Sequence, residues 1–128
     1  MTETRRELGA AGEAAAQAFL RRRGLEILAT NFRCAAGEID LIGRDGNTIV
    51  FVEVKARLSL AFGPPKMAVH IRKQRQIVRA AEWFLAEQRL KDVPCRFDVL
   101  GLTFPEVDES PRIEWVRDAF PAEGIWVW

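Results

Sequence analysis

The stretch Gly37-Glu38-Ile39-Asp40-Leu41-Ile42 and the later stretch Thr48-Ile49-Val50-Phe51-Val52-Glu53-Val54-Lys55 place charged side chains inside two apolar runs. The second run is rich in β-branched and aromatic residues, and Asp45-Gly46-Asn47 between the two runs is typical of a tight turn. The sequence therefore predicts a β-hairpin over residues 37–55.

Three charged residues of this hairpin are expected to form one site. Successive side chains of a strand point to opposite faces, so Glu53 and Lys55 share a face of the second strand. If the strands pair through the turn, Asp40 and Glu53 converge at one end of the sheet with Lys55 close behind. Two carboxylates and an ammonium then lie together.

This set of groups has a clear candidate chemistry. Mg²⁺ and Mn²⁺ bind one or two carboxylates and take water and substrate phosphate in their remaining positions. Asp40 and Glu53 would be the metal ligands, while Lys55 would orient the attacking water and offset charge in the transition state. The implied reaction is phosphodiester hydrolysis. On spacing alone, a solvated strand surface that merely carries Glu53 and Lys55 is about as well supported as a metal site.

The spacing of these residues resembles a known nuclease signature. The pattern consists of an Asp, a spacer of about a dozen residues and then Glu-x-Lys at the end of an apolar strand. It is similar to the signature of restriction-endonuclease-like nucleases. Pro often precedes the Asp in that pattern, whereas Ile39 precedes Asp40 in this chain.

A closer resemblance extends from about Gly9 to Leu102. The motifs together resemble the YraN-like family of uncharacterised bacterial proteins, which is similar to archaeal Holliday junction resolvases. The motifs that carry this resemblance are Gly12-Glu13-x-Ala15-Ala16, Asn31-Phe32-Arg33, residues 37–42, residues 51–57, Phe62-Gly63-x-Pro65, Lys73 and Arg96-Phe97-Asp98-Val99.

The resemblance implies an α/β fold with a restriction-endonuclease-like core, in which helices flank a central mixed β-sheet. It implies one nuclease-like domain over residues 1–128, with a core at about 5–102 and an acidic, Trp-rich extension at about 103–128. An acidic residue of the first helix completes the site in the resolvases, and Glu13 matches it. The expected function is Mg²⁺-dependent endonuclease activity on branched or structured nucleic acid. The runner-up is a nucleic-acid-binding protein that does not cleave, because a fold alone does not determine function. A third possibility is a purely interaction-based role through the Trp-rich tail.

Composition and length narrow the class of protein. A chain of 128 residues is expected to form one domain with a sizeable core. Neither an apolar run near twenty residues nor a secretory signal is present, so we expect a cytoplasmic protein without a membrane partner. Cys34 and Cys95 are not in a Cys-x-x-Cys motif and the chain has a single histidine, which argues against a zinc site.

The distribution of charge predicts a nucleic-acid surface, although the net charge is only +1. Residues 55–79 contain basic residues and no acid, and binding to phosphates depends on local charge. We expect a nucleic-acid partner, DNA rather than RNA, although no residue distinguishes the two; a solvated helix face is the alternative. The candidate nucleic-acid-binding residues are Arg33, Arg57, Arg72, Lys73, Arg75 and Arg79.

Helical spacing predicts two helices. The first spans Glu7 to Arg23 and ends at Gly24, and Arg21-Arg22-Arg23 in its last turn suit the helix dipole. The second spans about Lys66 to Leu90 and exposes Arg72, Arg75 and Arg79 on one face. His70 near its start is expected to be an ordinary surface histidine. The predicted apolar stripe of this helix consists of Met67, Ile71, Val78, Ala81 and Leu85.

Three further strands are predicted, at residues 25–29, 96–102 and 112–117, the second beside the strand that carries Glu53. Asp98 is either a partner for a basic residue or exposed. The loop up to Pro65 is a candidate for substrate contacts. The apolar residues of the C-terminal tail either cover the sheet or form a homodimer contact.

Overall fold

The computed structural model describes residues 2–58, 67–106 and 108–121, with side chains from Leu8 onward. The loop segment 59–66, with Gly63-x-Pro65, and the terminal residues 122–128 lie outside the described residues. Within these ranges the chain forms two helices and five strands. They are α1 (Thr2–Arg22), β1 (Glu26–Cys34), β2 (Gly37–Asp45), β3 (Thr48–Leu58), α2 (Ile71–Glu87), β4 (Cys95–Phe104) and β5 (Arg112–Phe120).

The described strands form one mixed sheet in the order β1-β2-β3-β4-β5. β1, β2 and β3 are antiparallel neighbours, β3 and β4 are parallel, and β5 is antiparallel to β4. The parallel pair is joined by a crossover that contains α2, since antiparallel strands can be joined by a short turn but parallel strands cannot. The predicted α/β fold, a mixed sheet flanked by helices, is confirmed.

The predicted hairpin is formed by β2 and β3. Asp45 pairs with Thr48, so Gly46 and Asn47 make a two-residue turn, and Gly46 adopts a φ of +63° that glycine accepts without strain. The register continues to the pair Leu41 and Val52. Because the turn fixes the register, it also fixes which side chains meet at the other end of the hairpin.

The two helices cover opposite faces of the sheet. Alternate residues of β3 enter two cores: Val50 and Val52 pack with Leu20 of α1, whereas Phe51 packs with Phe84 of α2. Phe51 also stacks on Phe97 with 5.3 Å between ring centroids. The sheet is thus buried on both sides near its middle, and charged groups at the end of β3 border this apolar interior.

Both helices differ in extent from the predicted ones. α1 begins earlier than expected and ends as predicted, with Gly24 at a φ of +91° and the Leu25 N–H bonded to the Leu20 carbonyl. α2 is shorter than predicted and begins at Ile71, where the His70 Nδ1 accepts a hydrogen bond from the Arg72 N–H at 3.1 Å. The placement of Ile71 in the apolar stripe is wrong, because this side chain is 52% exposed.

The acidic C-terminal extension contributes β5, which is longer than the predicted strand and forms an edge of the sheet. Cys34 and Cys95 are both partly buried free thiols. Among the described helices, none combines the length and the apolar character that crossing a membrane requires.

Candidate functional site

Asp40 and Glu53 meet where β2 and β3 separate. The last backbone pair of the hairpin is Leu41 with Val52, so the next residues outward are Asp40 and Glu53. Beyond this point, the Asp40 Oδ2 accepts a hydrogen bond from the Val54 N–H at 2.7 Å. A side chain thus replaces the backbone carbonyl that would have continued the ladder, and this bond holds the Asp40 carboxylate beside Glu53.

Glu53 and Lys55 lie on the face of β3 that carries α2. Phe51 packs against α2, while Val52, Val54 and Ala56 pack on the α1 side. Glu53 and Lys55 follow Phe51 at intervals of two, which places them on the α2 face as the alternation predicts.

The two carboxyl groups are close enough to perturb each other. Burial raises the pKa of Glu53 from 4.5 to about 8, helped by a hydrogen bond with Asp40 and by the negative charge of Asp40. The nearby ammonium groups of Lys73 and Lys55 act in the opposite direction but do not cancel the rise. The Glu53 side chain is only 14% exposed. Glu53 therefore keeps its proton at neutral pH in the absence of a bound cation.

Two lysines border the carboxylates, and both are tied to the start of α2. The Lys55 ammonium donates a hydrogen bond to the Ala68 carbonyl, in the segment that leads into the helix. Lys73, in the first turn of α2, lies 3.8 Å from the Glu53 Oε2. Lys73 was predicted as a nucleic-acid contact, and the structure places it at the carboxylate pair.

Glu13 approaches from α1 but does not join the carboxylate pair. It is exposed and lines a cavity of about 260 Å³ together with Asp40, Val54 and Ala56. A Cβ atom at Gly12 would lie 3.0 Å from the Ala56 Cβ, so α1 packs very closely on β3 at this point. Across the described residues, no group of three or more His, Cys, Asp or Glu side chains is arranged to hold a metal ion.

The predicted nucleic-acid contacts occupy different environments. Arg72, Arg75 and Arg79 are exposed on α2, whereas Arg57 is partly buried on β3. Arg33 is exposed on β1, where its Nε lies 3.6 Å from the Glu38 Oε1. The three arginines of α2 thus form one surface, whereas Arg33 and Arg57 are carried by strands.

Sequence reasoning missed two contacts of the site. The bond from Val54 to Asp40 depends on the point at which β2 separates from β3, and no residue pattern marks that point. The contact between Lys73 and Glu53 follows from a parallel crossover, which brings the first turn of a helix beside the end of the preceding strand. The signal that could have found it is a lysine early in the helix that follows Glu-x-Lys.

Comparisons with known proteins give one consistent family. A family model described as "Uncharacterised protein family UPF0102" matches residues 12–102, a range that contains Glu13, Asp40, Glu53 and Lys55. The predicted family resemblance is confirmed.

Three relatives from different organisms cover nearly the whole chain. A UPF0102 protein of Geobacter metallireducens is 50% identical over 115 residues, which cover 90% of this chain and 93% of the relative. One from Caldicellulosiruptor saccharolyticus is 47% identical over 116 residues, 91% of this chain and 98% of the relative. One from Pseudomonas aeruginosa is 40% identical over 121 residues, 94% of this chain and 97% of the relative.

Proposed function

We propose that this chain, which belongs to the UPF0102 family, is a cytoplasmic Mg²⁺-dependent endonuclease that hydrolyses phosphodiester bonds in branched or structured nucleic acid. The observation that carries the proposal is the contact between Asp40 and Glu53, two carboxyl groups that the fold brings together at the edge of an apolar core. Ionising Glu53 at this place is costly, because burial and the neighbouring Asp40 both disfavour its charged form. A divalent cation would remove that cost.

The groups present fit Mg²⁺ or Mn²⁺ better than a softer metal. The donor atoms are carboxylate oxygens, which hard cations prefer, and Mg²⁺ commonly binds one or two carboxylates while water and phosphate complete its coordination. His70 is exposed and caps α2, and neither free cysteine belongs to a group of three or more potential metal ligands within the described residues. Asp40 and Glu53 would hold the ion.

Each neighbouring residue has a definite part in this arrangement. The Val54 N–H fixes the orientation of Asp40, and the Ala68 carbonyl holds the ammonium of Lys55 near Glu53. When bound, the ion supplies a Lewis acid for the phosphate and a more acidic water. Lys55 then orients the water and stabilises the negative charge that develops on the phosphate oxygens. Lys73 is a second cation at the same carboxylate.

Cleavage assays test the proposal directly. Labelled duplexes, flaps and four-way junctions are incubated with the wild-type protein and with Glu53→Gln, in Mg²⁺, in Mn²⁺ and in EDTA. We expect metal-dependent cleavage of at least one branched substrate by the wild type and none by Glu53→Gln. Glu114→Gln makes the same chemical change on exposed β5 and should cleave normally. Equal cleavage by the wild type and Glu53→Gln would refute the assignment.

A second candidate, a nucleic-acid-binding protein that does not cleave, is supported by the exposed arginines of α2. Their binding to phosphates would not need the carboxylates. The salt dependence is the slope of the logarithm of the binding constant against the logarithm of the salt concentration. Replacing Arg72, Arg75 and Arg79 by Gln should make this slope shallower by roughly 0.9 for each duplex phosphate that the variant no longer neutralises. The matched triple change of Arg21, Arg22 and Arg23 at the end of α1 should leave that dependence unchanged. This candidate is preferred if binding depends on α2 but no substrate is cut.

A further inference from the structure

α2 carries a large aromatic side chain on its solvent face. Trp83 is 49% exposed, although the neighbouring Phe84 is buried in the core. A single exposed apolar side chain is common on protein surfaces, so Trp83 is informative only through the residues that lie beside it.

Trp83 lies on the same stripe of the helix as the arginines. At 3.6 residues per turn, Arg72, Arg75, Arg79 and Trp83 fall within an arc of roughly 80° and extend over roughly 16 Å. All four are exposed. We call these four residues the α2 stripe.

Charge along the α2 stripe changes at Trp83. The first turn of α2 has no acidic residue, and Lys73 beside the stripe reaches Glu53 at the proposed site. The acids of the helix, Glu82 and Glu87, occur only on either side of Trp83. Phosphates are therefore favoured along the arginines and disfavoured at the tryptophan, where an uncharged and flat group fits best.

We propose that Trp83 stacks on an unpaired base of the substrate while Arg72, Arg75 and Arg79 contact the phosphates of the same strand. This inference rests on the proposed function and specifies it: the substrate has to present an unpaired base, as a flap, a junction or a single strand does and an intact duplex does not. Exposed aromatic rings bind bases in this way because every base has a flat π-face, and the contact requires no particular sequence.

The test separates the base from the phosphates. Binding is measured in EDTA, so that nothing is cleaved, with two oligomers of about ten nucleotides. One is an ordinary single strand, and the other has the same number of phosphates but abasic sugars throughout. We expect Trp83→Leu to bind the ordinary strand roughly 5- to 150-fold more weakly than the wild type. Its binding to the abasic strand should equal that of the wild type.

Two variants serve as controls. Trp83→Phe retains a π-face and should recover most of the affinity for the ordinary strand. Ile71→Ala removes the other strongly exposed apolar side chain of α2, which cannot stack, and should change neither affinity. Equal melting temperatures of all variants would show that the half-exposed Trp83 is not needed for folding.

Three results would overturn the inference. If Trp83→Leu weakens both strands equally, or neither, then Trp83 does not stack on a base while the proposed nuclease function stands. If Trp83→Leu instead changes the oligomeric state in sedimentation, the residue belongs to a protein interface. If the wild type binds neither strand at low salt, this inference fails, while the cleavage assays with flaps and junctions still decide the proposed function.

Discussion

Two regions of the sheet bury carboxyl groups and treat them in opposite ways. At the β4–β5 edge, Asp98 is 0% exposed and accepts hydrogen bonds from the Arg96 Nε, the Trp115 Nε1 and the Asp118 N–H. At the β2–β3 separation, Glu53 has Asp40, another acid, as its hydrogen-bond partner. The first carboxylate is satisfied by several donors, whereas the second lies between another acid and the ammonium of Lys73 at 3.8 Å.

The difference indicates which of the two is structural. A buried carboxylate with several donors stabilises the fold around it, and Asp98 joins β4 to β5 at a point where their register shifts. An acid whose pKa is raised by burial beside another acid lowers the stability of the fold at neutral pH, and such perturbed groups cluster at functional sites. We therefore expect substitutions at Asp98 to affect folding and substitutions at Asp40 and Glu53 to affect activity.

The largest effect is expected on cleavage. Glu53→Gln and Lys55→Ala should each reduce the rate roughly a thousandfold or more, and the double variant should lose little beyond either one, because the groups act as a unit. Single-turnover rates on the best branched substrate provide the measurement. Additive losses would mean that Lys55 and Glu53 contribute independently, and the single-site interpretation would be wrong.

The next effect is on folding at Asp98. Asp98→Ala leaves the charge of Arg96 without its buried partner and should lower the free energy of unfolding by about 3–5 kcal/mol. Urea denaturation measures this change. Glu114→Ala removes an exposed acid of β5 and should stay within about 0.5 kcal/mol of the wild type. A small loss in Asp98→Ala would show that the two regions do not differ as described.

The two regions differ in how well the sequence predicts them. Interactions between residues close in the sequence are predictable, and those between distant segments are not. The β2–β3 hairpin was predictable because the Gly46 turn and the alternation of residues set its register, and Asp40 beside Glu53 follows from that register. The environment of Asp98 was not predictable. Its burial depends on Arg96, on Trp115 and on a shift of register between β4 and β5, none of which the alternating pattern of β4 indicates.

The start of α2 was mispredicted for a related reason. The apolar residue Ile71 fits a helical stripe in the sequence, but the helix begins there with His70 as its N-cap, and the side chain remains outside the core. The position of Lys73 beside Glu53 follows from where the crossover returns to the sheet. Such contacts between distant segments depend on the packed fold and not on spacing along the chain.

A smaller effect is expected from the metal. A ligand that binds only the folded protein adds about 2.7 kcal/mol of stability at a hundred times its dissociation constant. Mg²⁺ or Mn²⁺ should therefore raise the melting temperature of the wild type and of Glu114→Gln but not that of Glu53→Gln, as measured by calorimetry. An equal shift in Glu53→Gln would place the ion elsewhere and would remove the proposed contrast between the two regions.

The last effect, the pH dependence of the metal-free protein, is the smallest when it is measured over a single pH unit. Since the pKa of Glu53 is raised from 4.5 to about 8, the folded chain retains a proton that the unfolded chain releases between these values. The contribution of Glu53 to the free energy of unfolding should therefore be most favourable below pH 4.5. Between pH 4.5 and pH 8 the free energy of unfolding should fall by at most about 1.4 kcal/mol per pH unit.

Unfolding by urea in EDTA, at several pH values, measures the slope for the wild type and for Glu53→Gln. The difference between the two slopes isolates this carboxyl group, because the other titrating groups are common to both proteins. Identical slopes would mean that Glu53 is ionised beside Asp40 without cost, and the pair would then resemble Asp98 in being fully compensated by its surroundings.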